Sequence, residues 1–369
     1  MQASCLQIKL HKVKKIKIAF CWTGLTGYMP ACWRALNSYK DVEVRVYIEK
    51  RALSGQTDFM LGSFDSISHR IRNREDLLDK SDWINDILNF SPDLIEVTGW
   101  YSKLSQAVMH SKALACIPKI LGLDHQYNKT LKQRIAPFVL KDYISRFRAV
   151  AVPGERASVY ARHLGFKDSG IEKILYGLDY DAMVSAASVR ENNPWPERFL
   201  FAGRYCQDKG LDILLAAYKC YRERVDSPWS LSFCGKGELE HMICGVDGVR
   251  DLGFIQPKDM PGVFAEHGAF ILPSLYEPWG VVLGEACASG LPVIATAACG
   301  ATVELIRPYY NGLICSPASV NDLCNAMIWM HGQVDDLETI GARSLAVAQP
   351  FSAQSWAEAW YNIARKYRQ

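Results

Sequence analysis

Two glutamates that lie eight positions apart, Glu277 and Glu285, stand where a predicted strand passes into a helix. The apolar run at 269–274 predicts the strand, a loop with Pro and Gly carries Glu277, and a short helical segment carries Glu285 before Gly290 ends it. A helix N-terminus attracts a diphosphate through its N–H groups and its dipole. The two carboxylates would therefore flank an anion site and could reach different parts of a ligand longer than a phosphate.

A second group of charged residues follows another predicted strand, at residues 198–203. Gly203 and Arg204 form a tight turn after this strand, and Lys209 comes five residues later at the start of a helix. Arg binds phosphate oxygens in a bidentate manner, while Lys acts as a point charge. This arrangement predicts two cations directed at one anionic group, although the same spacing also occurs on solvated protein surfaces.

Two glycines, Gly24 and Gly27, follow the first predicted strand of the chain, at residues 16–22. Glycines between a strand and a helix let the backbone approach a phosphate closely, and they are also common in ordinary turns. The loop lacks the third glycine and the later acidic residue of a dinucleotide fingerprint. The sequence therefore argues against an NAD-dependent enzyme.

Asp124 and His125 stand at the end of a predicted strand, at residues 119–124. A histidine at this position could hydrogen-bond a sugar hydroxyl or share a proton with one. A histidine at a strand end can equally be structural, and Asp124 is a competing candidate for the same role. No His/Cys cluster has metal-ligand spacing, so we expect no metal site.

Strands that alternate with amphipathic helical segments hold these candidate residues, which is the pattern of βαβ units and a parallel sheet. Ligands bind at the carboxyl ends of the strands in such sheets. A polar, proline-bearing segment at 188–198 separates two sets of alternating elements. The predicted strands are 16–22, 42–48, 94–100, 119–124, 149–154 and 173–177 in the first set, and 198–203, 231–235, 249–254, 269–274, 292–296 and 312–317 in the second.

The two sets predict an α/β protein with two Rossmann-like domains that face each other across a cleft. A length of 369 residues agrees with two domains, since one core rarely supports so many residues. We expect a first domain at 1–178 and a second at 179–354. The chain closes with an amphipathic helix in which Trp356, Trp360 and Ile363 share one apolar face.

The net charge of +3 conceals an asymmetry between the two halves of the chain. Residues 1–180 contain 27 Lys and Arg against 18 Asp and Glu, whereas the remainder contains 15 against 21. A basic half suggests an anionic partner such as a membrane surface, a lipid diphosphate or nucleic acid, and the alternative is a solvated face without a partner. The basic and aromatic residues do not interleave as in single-strand binders, which argues against nucleic acid.

The twelve cysteines are scattered, and many lie in apolar runs, where Cys behaves as a small hydrophobe. This usage favours a reducing cytosol over a disulfide framework. A basic stretch at 9–17 precedes the first strand, but the apolar run after it is too short for a signal peptide. No run approaches the roughly eighteen apolar residues of a membrane span. We therefore expect a cytoplasmic protein, with peripheral contact to the inner face of the membrane as an option.

The central stretch resembles a known family. Glu277-x7-Glu285, with Gly280 between them and Ser-Gly-Leu-Pro-Val following at 289–293, is similar to the nucleotide-sugar site of retaining GT-B glycosyltransferases of family 4, the glycosyltransferase group 1 type. The similarity is strong over 198–317 and weak in the first half. In this family the fold is two facing Rossmann-like domains, and the last helix, here 355–369, crosses back onto the first domain.

The resemblance also implies roles for individual residues. Glu277 would bind the donor sugar hydroxyls, Glu285 the ribose hydroxyls, and Arg204 with Lys209 the diphosphate; His125 would contact the donor sugar. Trp279 occupies a place where many relatives have Phe, which implies a sugar pocket of different shape. The expected catalytic residues are Glu277, His125, Arg204 and Lys209. The expected donor-binding residues are Gly24, Gly27, Gly203, Arg204, Lys209, Gly235, Ile255, Glu277, Trp279, Gly280, Val281 and Glu285.

The function that the resemblance implies is transfer of a hexose from a nucleoside diphosphate sugar, with UDP-glucose as the first candidate, to an acceptor hydroxyl with retention. No metal or other cofactor is needed, because the two cations would offset the charge of the leaving diphosphate. The acceptor would be a glycan or a lipid-linked saccharide of a surface polysaccharide or glycolipid pathway. A nucleotide-sugar epimerase of the UDP-GlcNAc 2-epimerase kind and a non-catalytic sugar-nucleotide-binding subunit are the alternatives.

Overall fold

A computed structural model describes residues 15–24, 26–50, 64, 66–73, 80–190 and 193–368. Two parallel sheets form its framework. The first has seven strands in the order β3-β2-β1-β4-β5-β6-β7, and the second has six in the order β10-β9-β8-β11-β12-β13. The strands of the first sheet are β1 (Ile16–Thr23), β2 (Val42–Lys50), β3 (Ser68–Asn73), β4 (Leu94–Thr98), β5 (Lys119–Gly122), β6 (Ala149–Val152) and β7 (Ile171–Lys173). Those of the second are β8 (Arg198–Ala202), β9 (Ser230–Cys234), β10 (Val249–Asp251), β11 (Ala269–Leu272), β12 (Val293–Thr296) and β13 (Gly312–Cys315).

Helices cover both sheets, as a parallel sheet requires. Those of the first domain are α1 (Met29–Asn37), α2 (Lys80–Phe90), α3 (Lys103–His110), α4 (Leu131–Val139), α5 (Lys141–Ile144) and α6 (Glu155–His163). The second domain has α7 (Tyr180–Arg190), α8 (Leu211–Arg222), α9 (Met260–Ala265), α10 (Val281–Ala288), α11 (Thr302–Leu305), α12 (Val320–His331) and α13 (Leu337–Ala348), and α14 (Ala353–Tyr367) closes the described chain. The predicted α/β class with two Rossmann-like domains is confirmed.

The last helix returns to the first domain. Ser352 caps α14 by accepting a hydrogen bond from the backbone N–H of Ser355. Trp356, Trp360 and Ile363 are buried in the core that α1 and the first sheet also form, as their predicted common face requires. The ring of Trp360 meets that of Phe20 edge to face with 4.9 Å between centroids. The second domain is therefore tied to the first by packing as well as by the chain itself.

The first sheet differs from the prediction in two places. The run at 173–177 does not form a strand, because β7 ends at Lys173. The indole N–H groups of Trp360 and Trp356 bind the carbonyl oxygens of Ile174 and Leu175, which would otherwise face a neighbouring strand. The edge strand β3 was not predicted, because its sequence Ser-His-Arg-Ile-Arg-Asn is polar, as edge strands often are.

Several other predictions concern residues at the margins of the described chain. The basic stretch at 9–17 lies outside it except for Lys15, Ile16 and Lys17. The segment at 188–198 is described except for residues 191 and 192, and α7 extends into it as far as Arg190. In the parts of the chain that the structure covers, no helix is long and apolar enough to cross a membrane.

Candidate functional site

The loop between β11 and α10 carries Glu277 and places it against the second domain's other loops. Gly280 adopts a φ of +94° at the N-terminus of α10, a left-handed conformation that a residue with a Cβ rarely adopts. A Cβ at Gly280 would also lie 2.7 Å from Cys299 Sγ. The helix ends as predicted, with Gly290 at a φ of +69°. Glycine is therefore required at both ends of this short helix, and these ends fix where Glu277 and Glu285 lie.

Lys209 and Glu277 form an ion pair, through Nζ and Oε2, that sequence reasoning did not predict. Lys209 ends a short turn after β8, and the left-handed Gly210 then starts α8. The two side chains are only 13% and 12% exposed. A pair this sheltered from water interacts more strongly than a surface pair, and removing either partner leaves the other charge poorly solvated. The ion pair therefore connects a predicted diphosphate-binding cation, Lys209, to the predicted sugar-binding carboxylate of Glu277.

A cavity of about 320 Å³ lies between the two domains at the carboxyl ends of their strands. Its wall combines glycine turns and cations with an apolar end. Glu277 is linked to this wall through Lys209. The lining includes eight of the predicted site residues, namely Gly27, Gly203, Arg204, Lys209, Gly235, Ile255, Val281 and Glu285, together with Phe254, Pro257, Met260 and Val282.

Gly24 and Trp279 are among the predicted residues that do not line this cavity. Gly24 turns the chain after β1, with its N–H bound to the carbonyl oxygen of Glu49, and does not line this cavity. The indole of Trp279 is buried at the contact between the domains, against Phe351. A Cβ at Gly154 of the first domain would lie 2.5 Å from this indole. The expectation that Trp279 reshapes the sugar pocket does not fit this position, because the ring fills the interdomain contact instead.

Glu285 projects from α10 at the junction of this cavity with a second one of about 420 Å³. Burial and the nearby carboxylate of Asp179 raise the pKa of Glu285 to about 7. A carboxyl group in such a place gains by meeting hydroxyl donors, since it is otherwise desolvated. The position fits a carboxylate that binds a vicinal diol.

Asp179 belongs to an Asp-x-Asp pair with Asp181 that sequence reasoning overlooked. Asp179 stands just before α7, and its carboxylate lies 3.9 Å from Arg34 Nη2. Within the described ranges no three His, Cys, Asp or Glu side chains gather as metal ligands would. The absence of a metal requirement stays a prediction.

Asp124 and His125 line a third cavity, of about 210 Å³, at the carboxyl edge of the first sheet. Asp124 accepts hydrogen bonds from His125 Nδ1 at 2.9 Å and from the Tyr176 hydroxyl at 2.8 Å. Burial opposes ionisation of Asp124, but these hydrogen bonds outweigh it and lower its pKa. The bond to Asp124 in turn raises the pKa of His125. Asp124 therefore orients the imidazole, and Nε2 is the ring nitrogen that could meet a ligand.

Two residues of the first domain that sequence reasoning missed, Gln126 and Arg156, bind the Glu277 loop and the adjacent loop at 297–299 of the second domain. Gln126 Nε2 donates to the carbonyl oxygens of Glu277 at 2.6 Å and Ala298 at 3.0 Å. Arg156 Nη1 donates to those of Ala297 at 2.5 Å and Cys299 at 3.0 Å. We call this pair the interdomain clasp. A Gln in a loop and an Arg on a helix carry no signal in the sequence that distinguishes them from surface residues.

Tyr28 is a further residue that sequence reasoning missed. It stands at the start of α1 and lines all three cavities. Its ring meets that of Tyr176 edge to face at 5.6 Å. Burial, followed by the carboxylate of Asp124, raises the pKa of Tyr28, so its hydroxyl stays a neutral donor. An aromatic residue after a glycine loop is more often part of a core, which is why the sequence did not identify it.

The model of the family "Glycosyl transferases group 1" matches residues 196–333. An uncharacterised glycosyltransferase from Methanocaldococcus jannaschii is 30% identical over 131 residues, which are 34% of this chain and 33% of the relative. This chain spans less than half of the length of the first curated relatives that it matches.

Solved structures match nearly the whole chain. Sucrose-phosphate synthase from Thermosynechococcus elongatus superimposes with a TM-score of 0.71 at 18% identity, covering 95% of this chain and 99% of that protein. HepE from Anabaena, solved in complex with UDP-glucose, gives 0.72 at 18% identity, with 95% and 100% covered. At this identity the likeness shows the fold, in which two Rossmann-like domains face each other. The chain therefore has the GT-B fold, and its residues 196–333 match the family of glycosyl transferases group 1.

Proposed function

We propose that this protein is a glycosyltransferase that moves a hexose from a nucleoside diphosphate sugar to an acceptor hydroxyl with retention at the anomeric carbon. UDP is the first candidate for the nucleotide and glucose for the sugar. The observation that carries the proposal is the cavity between the domains, which gathers Arg204, Lys209 and Glu285 on one wall. The solved complex of the similarly folded HepE with UDP-glucose supports this choice of donor.

The chain's own groups account for the chemistry in this proposal. Arg204 and Lys209 offset the charge that develops on the leaving diphosphate, and Glu285 holds the ribose diol. Glu277 holds the donor sugar hydroxyls, and His125 contacts the sugar from the first domain. The acceptor hydroxyl attacks from the face that the diphosphate leaves, and a phosphate oxygen takes its proton. Positioning and charge stabilisation carry the reaction in place of an enzyme nucleophile, and no metal is required.

The acceptor in this proposal is a glycan or a lipid-linked saccharide of a surface polysaccharide or glycolipid pathway, which places the protein in the cytoplasm at the inner face of the membrane. The cavity of about 210 Å³ on the first domain supports an acceptor site there. Trp22, Trp100 and Tyr101 line it, and aromatic faces commonly pack against sugar rings. The eleven cysteines of the described chain are all free thiols, which is compatible with a reducing compartment.

A screen of UDP-, GDP- and ADP-sugars tests this function. The expected result is a rise in the thermal unfolding temperature with UDP and UDP-glucose, together with slow release of UDP from UDP-glucose in the absence of acceptor. Conversion of UDP-GlcNAc without any acceptor would instead identify an epimerase. Binding of UDP with no release from any UDP-sugar would identify a non-catalytic subunit. A strong, salt-dependent affinity for RNA or DNA, with no response to nucleotides, would identify a nucleic-acid binder.

The pH dependence of uridine binding provides a separate prediction for Glu285. Its pKa of about 7 lies above the ordinary value of roughly 4.3 for glutamate. The empty protein therefore loses stability from this group as pH rises from about 4.3 to about 7, whereas the ionised form binds a diol better. Uridine, which has no titrating phosphate, should bind at least about threefold more tightly at pH 8 than at pH 6, since charge-assisted hydrogen bonds are stronger. Calorimetry measures this change.

The control for this prediction is Glu285→Gln, which has nearly the same shape and no titration. Its affinity for uridine should be lower than that of the wild type at pH 8 and flat between the two pH values. A wild-type affinity that stays constant from pH 6 to pH 8 would show that Glu285 does not bind the ribose.

A further inference from the structure

Helix α4 carries a row of large apolar side chains that the fold does not bury. Leu131 is 76% exposed, Ile135 48%, Phe138 82% and Val139 72%. At 3.6 residues per turn these four positions fall on one side of the helix, and we call them the α4 face. On the opposite side, Ala136 is buried against the domain. Scattered exposed apolar residues are ordinary, but four large ones on one helix face mark an interaction surface.

Basic residues surround the α4 face. Lys132 and Arg134 flank it on its two sides along the helix, and both are exposed. Lys129 and Lys141 are exposed just before and after the helix. Residues 125–154 contain six Lys and Arg against a single acid, Asp142. An apolar helix face bordered by cations is the composition of a helix that lies in the interface of an anionic bilayer.

The α4 face is also attached to the candidate site. The loop that leads into α4 carries Asp124 and His125, which line the cavity on the first domain. Gln133, on the inner side of α4, donates from Nε2 to the carbonyl oxygen of Gln126 at 2.6 Å. Tyr101, which lines the same cavity as His125, is 69% exposed. A surface bound by the α4 face would therefore lie near the part of the cleft where an acceptor would enter.

We propose that the α4 face, with its flanking cations, docks this protein on an anionic lipid surface. Apolar burial supplies one part of the attraction, and the cations around the face supply the other. This inference rests on the proposed function in one respect only. Docking brings a lipid-linked acceptor to the cleft if the protein is a glycosyltransferase of this kind. Three of the four side chains of this face are aliphatic and do not stack on bases, so the composition favours lipid over nucleic acid.

Flotation with vesicles tests the proposal. The full chain is mixed with vesicles of phosphatidylcholine that contain about one third phosphatidylglycerol, or none. The wild type should float with the anionic vesicles and at least about tenfold less with neutral ones, and high salt should weaken its binding. Phe138→Glu and the double variant Lys132→Glu/Arg134→Glu should each bind the anionic vesicles at least about tenfold less.

Matched controls lie on the second domain. Val189→Glu changes a 57% exposed valine of α7, and Lys219→Glu reverses an exposed lysine of α8; both should float like the wild type. All variants should show wild-type thermal unfolding and wild-type release of UDP from UDP-glucose in solution, because the residues are exposed and remote from the nucleotide cavity. A protein without UDP release that still floats would refute the function and keep the docking surface.

Four results would overturn the proposal. The wild type could fail to float, or Phe138→Glu could float as well as the wild type. Alternatively, sedimentation could show a wild-type dimer that Phe138→Glu converts to a monomer, with no vesicle binding, which would assign the α4 face to a second copy of the chain. Binding to RNA in place of vesicles, lost in the Lys132→Glu/Arg134→Glu variant, would assign the cations to nucleic acid.

Discussion

Replacing Glu277 with glutamine, or Lys209 with methionine, is expected to lower kcat for sugar transfer at least about tenfold, equivalent to roughly 1.4 kcal/mol of transition-state stabilisation. Each side chain neutralises the other in a site that is only 12–13% exposed. Losing one partner therefore removes a ligand contact and leaves an unpaired charge beside the donor. Initial rates with UDP-glucose and a glycan acceptor, or UDP release without one, measure the effect.

Binding measurements separate the roles of the two residues. Glu277→Gln should weaken UDP-glucose more than UDP, because only the former has hydroxyls for Glu277 to hold. Lys209→Met should weaken UDP and leave uridine unchanged, because only UDP has phosphates. The double variant should lose less than the sum of the single losses, since neither charge is then left alone. Lys219→Met, an exposed lysine on α8, serves as the control with wild-type rates.

The thermal unfolding midpoint of each variant, compared with that of the wild type, shows whether a lower rate results from a loss of folding alone. Single variants that remain folded and turn over UDP-glucose at the wild-type rate would remove the Lys209–Glu277 pair from the catalytic site.

Gly210→Ala is expected to destabilise the second domain by roughly 3 kcal/mol. Gly210 has a φ of +65°, a conformation that costs a residue with a Cβ about 1–2 kcal/mol. The added Cβ would also lie 2.4 Å from the carbonyl oxygen of Pro273, a backbone atom that cannot move away cheaply. For a domain of this size the midpoint of thermal unfolding should fall by roughly 6–12 °C, which calorimetry measures.

The chain offers a matched control for this variant. Gly253 has the same φ of +65°, and a Cβ there would meet nothing within 4 Å. Gly253→Ala should therefore lower the midpoint by only about 2–8 °C, from the backbone conformation alone. Equal shifts in the two variants would show that the contact between Gly210 and Pro273 does not hold the Lys209 turn against the Glu277 loop.

Much of the second domain could be predicted from the sequence, because its signals are local. Short apolar strands bounded by glycine turns mark the carboxyl edge of the sheet. The spacing of Gly203, Arg204 and Lys209 then places two cations on that edge, where the cavity is found. Glu285 follows from the length of α10, since it lies about one turn after Val281. Each of these inferences needs only a few consecutive residues.

The features that were missed depend on contacts between residues far apart in the chain. Gln126 meets the Glu277 loop across 151 positions, and Arg156 meets Ala297 across 141. The strand β3 is polar because it lies at an edge, and the run at 173–177 is apolar because α14 covers it. The position of Trp279 likewise depends on the first domain. A single sequence does not specify these pairings, because no local pattern distinguishes them.

The interdomain clasp has a consequence for how the molecule could open. Gln126 binds the carbonyl oxygen of Glu277 itself, and Gln126 and Arg156 both bind carbonyl oxygens of the adjacent loop at 297–299. If the two domains separate as rigid bodies, the hydrogen bonds from the first domain pull on the Glu277 loop of the second domain. In the proposed function, release of the nucleoside diphosphate and loss of the contacts that hold the sugar would then occur together. The empty protein would have to re-form these contacts before each turnover.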